Sequence, residues 1–226
     1  MATKKNKAGD TLVDIVEVSG KAQGFFDRYQ KIIVWGGGAL LLLLAAFLAY
    51  KFIYQEPREK EAKEQMFQAE YQFARDSFTL ALTNPGGGYE GFLGIIDKYS
   101  GTSAANLANY YVGVSYLHLG KIDAAISYLQ DFNPGGKVTP IMKLGLLGDA
   151  YSEKNDFDRA IAYYKQAGST SENEALSPYY LMKLGLLQEN QGKSEDALKT
   201  YQQIKAKYPN STEAKEIDKY ITRVLG

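Results

Sequence analysis

Residues 178–211 read PYYLMKLGLLQENQGKSEDALKTYQQIKAKYPNS, and this stretch decides the fold. It places an alanine twelve residues after a glycine and a bulky residue four residues later. The same order occurs twice more in the chain, so the three sets are Gly113–Ala125–Leu129, Gly148–Ala160–Tyr164 and Gly185–Ala197–Tyr201. The sets begin 35 and then 37 residues apart. Such a period indicates helical hairpins, each of which buries its apolar face only against its neighbours.

The period is close to the 34 residues of the tetratricopeptide (TPR) repeat. Thr139-Pro140 and Ser177-Pro178 supply a helix cap followed by proline at the first helical position, which is a helix-start signal. Gly120, Asn155 and Gly192 fall at the turns inside the hairpins, where a left-handed backbone is needed. The sequence therefore predicts an all-α TPR solenoid over residues 84–226, with a degenerate half repeat at 88–103, repeats at about 104–135, 140–170 and 177–210, and a capping helix at 211–225.

The residues of the three sets are packing positions. Small residues allow the two helices of a hairpin to cross closely, and rings fill the remaining space. The third repeat departs from the others, because Gln188 stands where they have Tyr116 and Tyr151. We expect this change to weaken one packing layer without breaking the pattern.

The concave face of a TPR array is lined by alternate turns of the first helix of each hairpin. Twelve positions follow from that geometry, among them Gly145, Asp149, Ser152 and Glu189, and no lysine or arginine occurs at any of them. Such a face suits an amphipathic helix or an extended hydrophobic segment. The alternative is that a helix at residues 57–82 or the carboxy-terminal helix fills the groove. The eight large apolar positions are the predicted partner-binding residues: Leu107, Tyr110, Val114, Leu117, Met142, Tyr179, Met182 and Leu186.

Residues 32–50 form a run of nineteen residues without a charge, bracketed by Lys31 and Lys51. About 20 apolar residues cross the hydrocarbon core of a bilayer as a helix. A cleaved signal peptide fits less well, because about thirty residues precede the run and no small-residue cleavage site closes it. A buried core helix also fits less well, because five consecutive leucines leave no polar face. The sequence predicts a transmembrane signal anchor at residues 32–54, in contact with membrane lipid.

A short basic tail at residues 1–31, with a short amphipathic helix, precedes this span. Such a tail favours the cytoplasm, which predicts a cytoplasmic amino terminus. Residues 55–83 are predicted to form a long helix that leads into the array. Small residues within the span would let another membrane helix approach, although glycine is also common in membrane helices: Gly36, Gly37, Gly38, Ala45 and Ala49.

The composition argues against other classes of function. Basic and acidic residues both number 26, so the chain carries no excess positive charge for nucleic acid. Cysteine is absent and His118 is the only histidine, which predicts no metal, no cofactor and no catalytic triad. Gly86-Gly87-Gly88 lacks the Lys-Ser/Thr of a phosphate-binding loop. An enzyme is therefore not expected.

Three stretches carry a family resemblance: MFQAEYQFARDSFTLAL at residues 66–82, GFLGIIDKYSGTSAANLANYYVGVSYLHLGKIDAAISYL at 91–129, and the stretch at 178–211. Together with one span and a carboxy-terminal TPR domain, they resemble the bacterial YfgM-like family. The resemblance implies a single-pass inner-membrane protein with a periplasmic TPR domain and no catalytic motif. It also implies an ancillary, chaperone-like subunit of the Sec translocon, whose partners are SecYEG, a PpiD-like membrane-anchored chaperone and unfolded secretory clients.

A second hypothesis is an envelope assembly or division scaffold that associates with itself through its TPR repeats. Proteins of that kind usually carry a coiled coil and a cleaved signal. The segment after the span shows no sustained heptad here, and no small-residue cleavage site closes the apolar run. A stable oligomer would favour the scaffold, whereas a monomer would favour the adaptor.

Overall fold

The computed structural model describes residues 28–32 and 34–226, and the predicted amphipathic helix of the tail lies outside them. The described residues form helices and no strands. The described part of the chain divides into two compact units, one that ends at residue 57 and one over residues 58–226. The all-α fold predicted from the sequence is confirmed.

The first helix, α1 (Arg28–Phe73), contains a segment that is long and apolar enough to cross a membrane. Its most apolar window has a mean hydropathy of 2.4, and none of that window is buried inside the protein. The large apolar side chains of the leucine run are half to three-quarters exposed. This segment of the chain therefore has the length and composition of a single span.

The helix does not begin at Pro57, as the sequence predicted, but continues through it. Proline lacks an N–H and its ring meets the carbonyl four residues earlier, which normally breaks a helix. Here Tyr50–Gln55 is wound as a π-helix, and the Glu56 N–H donates to the Lys51 carbonyl five residues back. The wider turn accommodates the proline without ending the helix.

The same helix ends at Phe73, about nine residues before the end that the sequence predicted. Asp76 takes the left-handed conformation, with φ of 57°. The Asp76 N–H donates to the Phe73 carbonyl (3.0 Å) and the Ser77 N–H to the Gln72 carbonyl (2.9 Å). These two bonds form a Schellman motif, which closes a helix. Aspartate in place of glycine hid this stop in the sequence.

Nine short helices and one 3₁₀ turn follow. The hairpin turns confirm the sequence prediction, since Gly120, Asn155 and Gly192 have φ of 69°, 60° and 71°. The helices are α2 (Phe78–Thr83), α3 (Phe92–Lys98), α4 (Ser103–His118), α5 (Ile122–Asp131), α6 (Thr139–Glu153), α7 (Phe157–Ser169), α8 (Leu176–Asn190), α9 (Ser194–Lys207) and α10 (Ile217–Leu225), with the 3₁₀ turn at Glu213–Glu216.

The hairpins α4–α5, α6–α7 and α8–α9 cross at the predicted small residues. A methyl group added at Gly113 would lie 2.6 Å from Leu129 Cγ, and one at Gly148 would lie 2.5 Å from a Tyr164 ring carbon. An added methyl at Gly185 would meet Tyr201 in the same way. Each bulky residue thus lies directly on the glycine of its own repeat, as the spacing predicted.

The end of α1 packs at the start of the array. Arg58 Nη2 donates to the Lys98 carbonyl (2.9 Å), and Tyr99 Oη donates to Glu61 (2.8 Å). The Phe73 ring contacts those of Phe92 (6.1 Å between centroids) and Tyr111 (4.9 Å). The segment from Arg58 onward therefore supplies the helix against which the half repeat packs, which explains why that repeat looks incomplete in the sequence.

Candidate partner-binding face

The eight predicted partner-binding residues all lie on the first helices of the three hairpins. Leu107, Tyr110, Val114 and Leu117 belong to α4, Met142 to α6, and Tyr179, Met182 and Leu186 to α8. Six of them are half-buried, whereas Tyr179 and Leu186 are 43% and 40% exposed. These two offer the most apolar surface to a partner.

A cavity of about 390 Å³ opens on this face and brings α4, α6 and α8 together. Val114 and Leu117 are the members of the predicted set that line it, beside Asp149 and Ser152 of the twelve positions. The other six predicted residues lie outside its lining. The sequence reasoning missed the remaining lining residues, which are His118, Leu146, Glu153, Tyr164 and Lys183.

A hydrogen-bonded charge pair lies in this cavity. Asp149 Oδ1 accepts from Tyr164 Oη and from Lys183 Nζ, both at 2.6 Å. Burial lowers the pKa of Lys183, but its bond to Asp149 outweighs this effect and holds the pKa above its usual value. Burial and the Asp149 charge also raise the pKa of Tyr164. The face is therefore not purely apolar.

Lys183 was missed because it follows Met182 and lies outside the alternate-turn pattern. Its ammonium group instead reaches back to the preceding repeat, where it lies 5.8 Å from the centre of the Tyr164 ring, and it also lies 5.1 Å from the ring centre of Tyr179 on its own helix. A lysine placed between two rings and a carboxylate was not expected from the sequence. One signal was available, since Asp149 places a carboxylate among the twelve positions of this face.

Aromatic side chains pack around Tyr110 and Tyr179, two predicted partner-binding residues outside the cavity. Tyr110 contacts Phe132 (5.5 Å between ring centroids), and Tyr179 contacts Tyr180 (5.0 Å). The Tyr180 ring lies directly on Gly145, so that predicted position is covered rather than exposed to a partner. Burial raises the pKa of Tyr110, which is consistent with a ring held against its neighbours.

The carboxy-terminal helix closes the last repeat with a similar cluster. Glu189 Oε2 accepts from Tyr201 Oη (2.9 Å) and from Arg223 Nη2 (2.7 Å). Tyr164 and Tyr201 occupy equivalent repeat positions, so both tyrosines bond to a carboxylate of their own first helix. Neither α10 nor the segment at residues 57–82 lines the 390 Å³ cavity, although Phe78 stacks on His118 at its edge (4.4 Å).

The small residues of the span contact no other part of the described chain. A methyl group added at Gly36, Gly37 or Gly38 would meet no atom within 4 Å, and Ala45 and Ala49 are exposed. Their role in helix packing within the membrane stays a prediction. Among the described residues, no group of three histidine or carboxylate side chains is placed to hold a metal ion.

Family models of the tetratricopeptide repeat match residues 107–133, 144–176 and 179–211. Each matched segment falls on one of the three hairpins and begins within its first helix. No curated protein matches the chain. The chain therefore contains TPR repeats, which typically serve as scaffolds that bind other proteins and carry no catalysis of their own.

Proposed function

We propose that this chain is a membrane-tethered adaptor that binds a partner protein along the first-helix face of its TPR array. The observation that carries the proposal is the 390 Å³ cavity where α4, α6 and α8 meet, with the exposed side chains of Tyr179 and Leu186 on the same set of helices. A concave surface that combines apolar side chains with a few polar groups is the usual form of a binding site.

The partner segment is an amphipathic helix or an extended hydrophobic stretch with one polar contact. Val114, Leu117 and Leu146 supply apolar surface in the cavity. Lys183 donates to Asp149 yet keeps further N–H donors, and its side chain remains 31% exposed. A carbonyl or carboxylate of the bound segment would accept from this ammonium group, which would fix the register of an otherwise apolar contact.

The finer assignment is an ancillary subunit of the Sec translocon at the bacterial inner membrane, with a cytoplasmic amino terminus and a periplasmic TPR domain. The resemblance to the YfgM-like family and the single apolar span support it. The partners would be SecYEG, a PpiD-like membrane-anchored chaperone and emerging secretory clients. Tethering raises the effective concentration of these partners, so modest affinity at the face is sufficient.

The test uses the full chain in lipid nanodiscs with purified SecYEG and with the purified PpiD-like chaperone. Replacing Tyr179 and Leu186 together by glutamate puts two charges on the exposed apolar surface. We expect at least a tenfold loss of affinity for one of these partners, since burying unpaired charges costs more than about 1.4 kcal/mol.

Leu225→Glu is the matched control, because Leu225 is 67% exposed and lies at the end of the chain. It should leave binding unchanged. Equal binding by the double variant and the native chain would exclude this face as the partner site. A stable oligomer of the full chain that the double variant disrupts would instead favour the self-associating scaffold.

A further inference from the structure

The first two repeats each contain a pair of tyrosines, one from each helix of the hairpin. Tyr116 lies 5.7 Å from Tyr128, and Tyr151 stacks on Tyr163 at 5.3 Å with an angle of 5° between the rings. A cation covers the first-helix ring in both repeats. Lys121 lies 5.5 Å from the centre of the Tyr116 ring and Arg159 lies 4.3 Å from that of Tyr151.

Both tyrosines are replaced in the third repeat. Gln188 and Thr200 occupy the equivalent positions, and they are only 8% and 6% exposed. Thr200 Oγ1 lies 2.8 Å from Gln188 Oε1 and 3.0 Å from the Asp196 carbonyl. Two rings have thus been exchanged for a smaller polar pair, and a cavity of about 400 Å³ opens beside them.

The cavity lies between α7 and α9, with α8 below, on the side of the array formed by the second helices. Ile161, Leu181 and Leu184 give it apolar walls. Lys165 and Lys199, one from each second helix, also line it. Asp196 also lines the cavity and pairs with Lys199 (3.8 Å). As at the Tyr116 and Tyr151 rings, a cation is present, but the ring is missing.

The side-chain amide of Gln188 contributes an unused hydrogen-bond donor to this cavity. The Gln188 oxygen accepts from Thr200, because a threonine hydroxyl has one proton and the amide oxygen has none. Gln188 Nε2 donates no hydrogen bond to any of the described residues. Among the described residues, Ser115 Oγ is the only fully buried side-chain nitrogen or oxygen atom without a hydrogen bond, so Gln188 Nε2 is open to the cavity, where a ligand oxygen can accept from it.

We propose that this cavity binds a tyrosine side chain from a protein partner. The ring would take the space that Tyr151 and Tyr163 fill in the second repeat, and its phenol oxygen would accept from Gln188 Nε2. Lys165 and Lys199 would lie against the ring face, as Arg159 does on Tyr151. The site is separate from the first-helix face and does not rest on the function proposed for that face.

The probes are N-acetyl-tyrosine amide and N-acetyl-phenylalanine amide, which differ only in the phenol hydroxyl. The full chain in detergent micelles carries ¹⁵N in its glutamine side chains, and the Gln188 amide signal is followed by NMR. We expect the tyrosine probe to shift this signal saturably. The phenylalanine probe should bind about threefold to tenfold more weakly, the value of one hydrogen bond.

Two variants distinguish the contribution of the cavity to ring binding from the contribution of the Gln188 amide. Gln188→Tyr/Thr200→Tyr restores the pair of the other repeats, and in fluorine NMR of ring-fluorinated probes it should bind neither. Gln188→Leu keeps the apolar walls, and the Thr200 hydroxyl can then donate to the Asp196 carbonyl, which lies 3.0 Å away. This variant should therefore fold and bind both probes equally weakly.

A flat Gln188 signal throughout the titration overturns the proposal, as does a double variant that still binds the tyrosine probe. A tyrosine preference that survives in Gln188→Leu would also overturn the assignment of the amide as the phenol donor. Tyr151→Phe is the control for a tyrosine elsewhere in the array, and it should bind both probes as the native chain does.

Discussion

A single methyl group at Gly148 tests the packing of the array. Gly148→Ala would place its new carbon 2.5 Å from the Tyr164 ring, which is held in place by its bond to Asp149. Overpacking of this kind costs about 1–3 kcal/mol. We expect the free energy of unfolding, measured by urea titration of the full chain in micelles, to fall by that amount.

Gly135→Ala is the matched control, since its added carbon would meet no atom within 4 Å and its φ is not positive. That variant should be neutral or gain about 0.4–1 kcal/mol, because alanine restricts the unfolded chain. Equal effects at both glycines would contradict the packing role of Gly148.

The Asp149–Lys183 pair in the 390 Å³ cavity predicts that the stability of the chain depends on pH in the alkaline range. The pKa values of Lys183 and Tyr164 are both raised in the folded chain. Both groups therefore contribute stability that is complete below their unfolded pKa values, near 10, and that is lost as the pH rises through the raised values. Stability should fall when the pH is raised above about 10.

Asp149→Asn removes the acceptor that keeps Lys183 charged. The free energy of unfolding at pH 7 should fall by about 1–3 kcal/mol, because a partly buried ammonium loses its partner. Its loss above pH 10 should also become shallower. Asp123→Asn is the control, because Asp123 pairs with Lys154 but its side chain is 84% exposed, so its effect should stay below about 1 kcal/mol.

Residue-scale prediction from sequence succeeded where one position decides the geometry. The glycine, alanine and bulky residue of each repeat could be assigned because they meet inside one hairpin at fixed spacing. Lys183 could not, because its role depends on Asp149 and Tyr164 of the preceding repeat. Gln188 was recognised as a departure from the pattern, but the partner residue Thr200 and the cavity beside them became visible only in three dimensions.

At the scale of elements, the carboxy-terminal helix α10 is predicted to cap the array. Ile217 is 1% exposed and belongs to the same core cluster as Tyr201 and Ile204. Replacing Ile217 by aspartate would put an unpaired carboxylate into that core. We expect the helix to detach and the free energy of unfolding to fall by more than about 3 kcal/mol.

Leu225→Asp introduces the same charge at the far end of this helix, where the side chain is 67% exposed. It should change stability by less than about 0.5 kcal/mol. Circular dichroism would show the loss of the last helix in the Ile217 variant alone. A stable Ile217→Asp variant would mean that α10 does not cap the array.

Helix ends could be predicted where proline or glycine marks them. They could not be predicted where another residue type ends the helix. Thr139-Pro140 and the turn at Gly192 marked their boundaries to within about a residue. Thr139 and Ser177 are not the predicted caps, however, since the caps are Val138 and Ala175. Pro57 was misleading. Proline usually starts or breaks a helix, but here the π-helical segment before it lets the helix continue. Asp76 was missed, because aspartate adopts the left-handed conformation of a helix stop far less often than glycine.

At the scale of the whole molecule, the apolar segment and the TPR array can be predicted because each leaves a sequence pattern that extends over many residues. A run of nineteen uncharged residues, or three repeats with a period near 35 residues, can still be recognised when one position is interpreted wrongly. The two cavities do not follow from any such pattern. Each arises where helices of neighbouring repeats meet, so its lining comes from positions that are far apart in the chain.

The orientation of the chain in the membrane is testable because the sequence has no cysteine, so one inserted thiol is the only reactive site. Asn210→Cys places it at an exposed position beyond α9, and Ser19→Cys places it in the amino-terminal tail. In spheroplasts, a membrane-impermeant maleimide should label Asn210→Cys at once and Ser19→Cys only after detergent is added. This result is expected because a short basic tail stays in the cytoplasm while a folded domain can be translocated. The reverse labelling would place the TPR array in the cytoplasm, and periplasmic clients would then be excluded as partners.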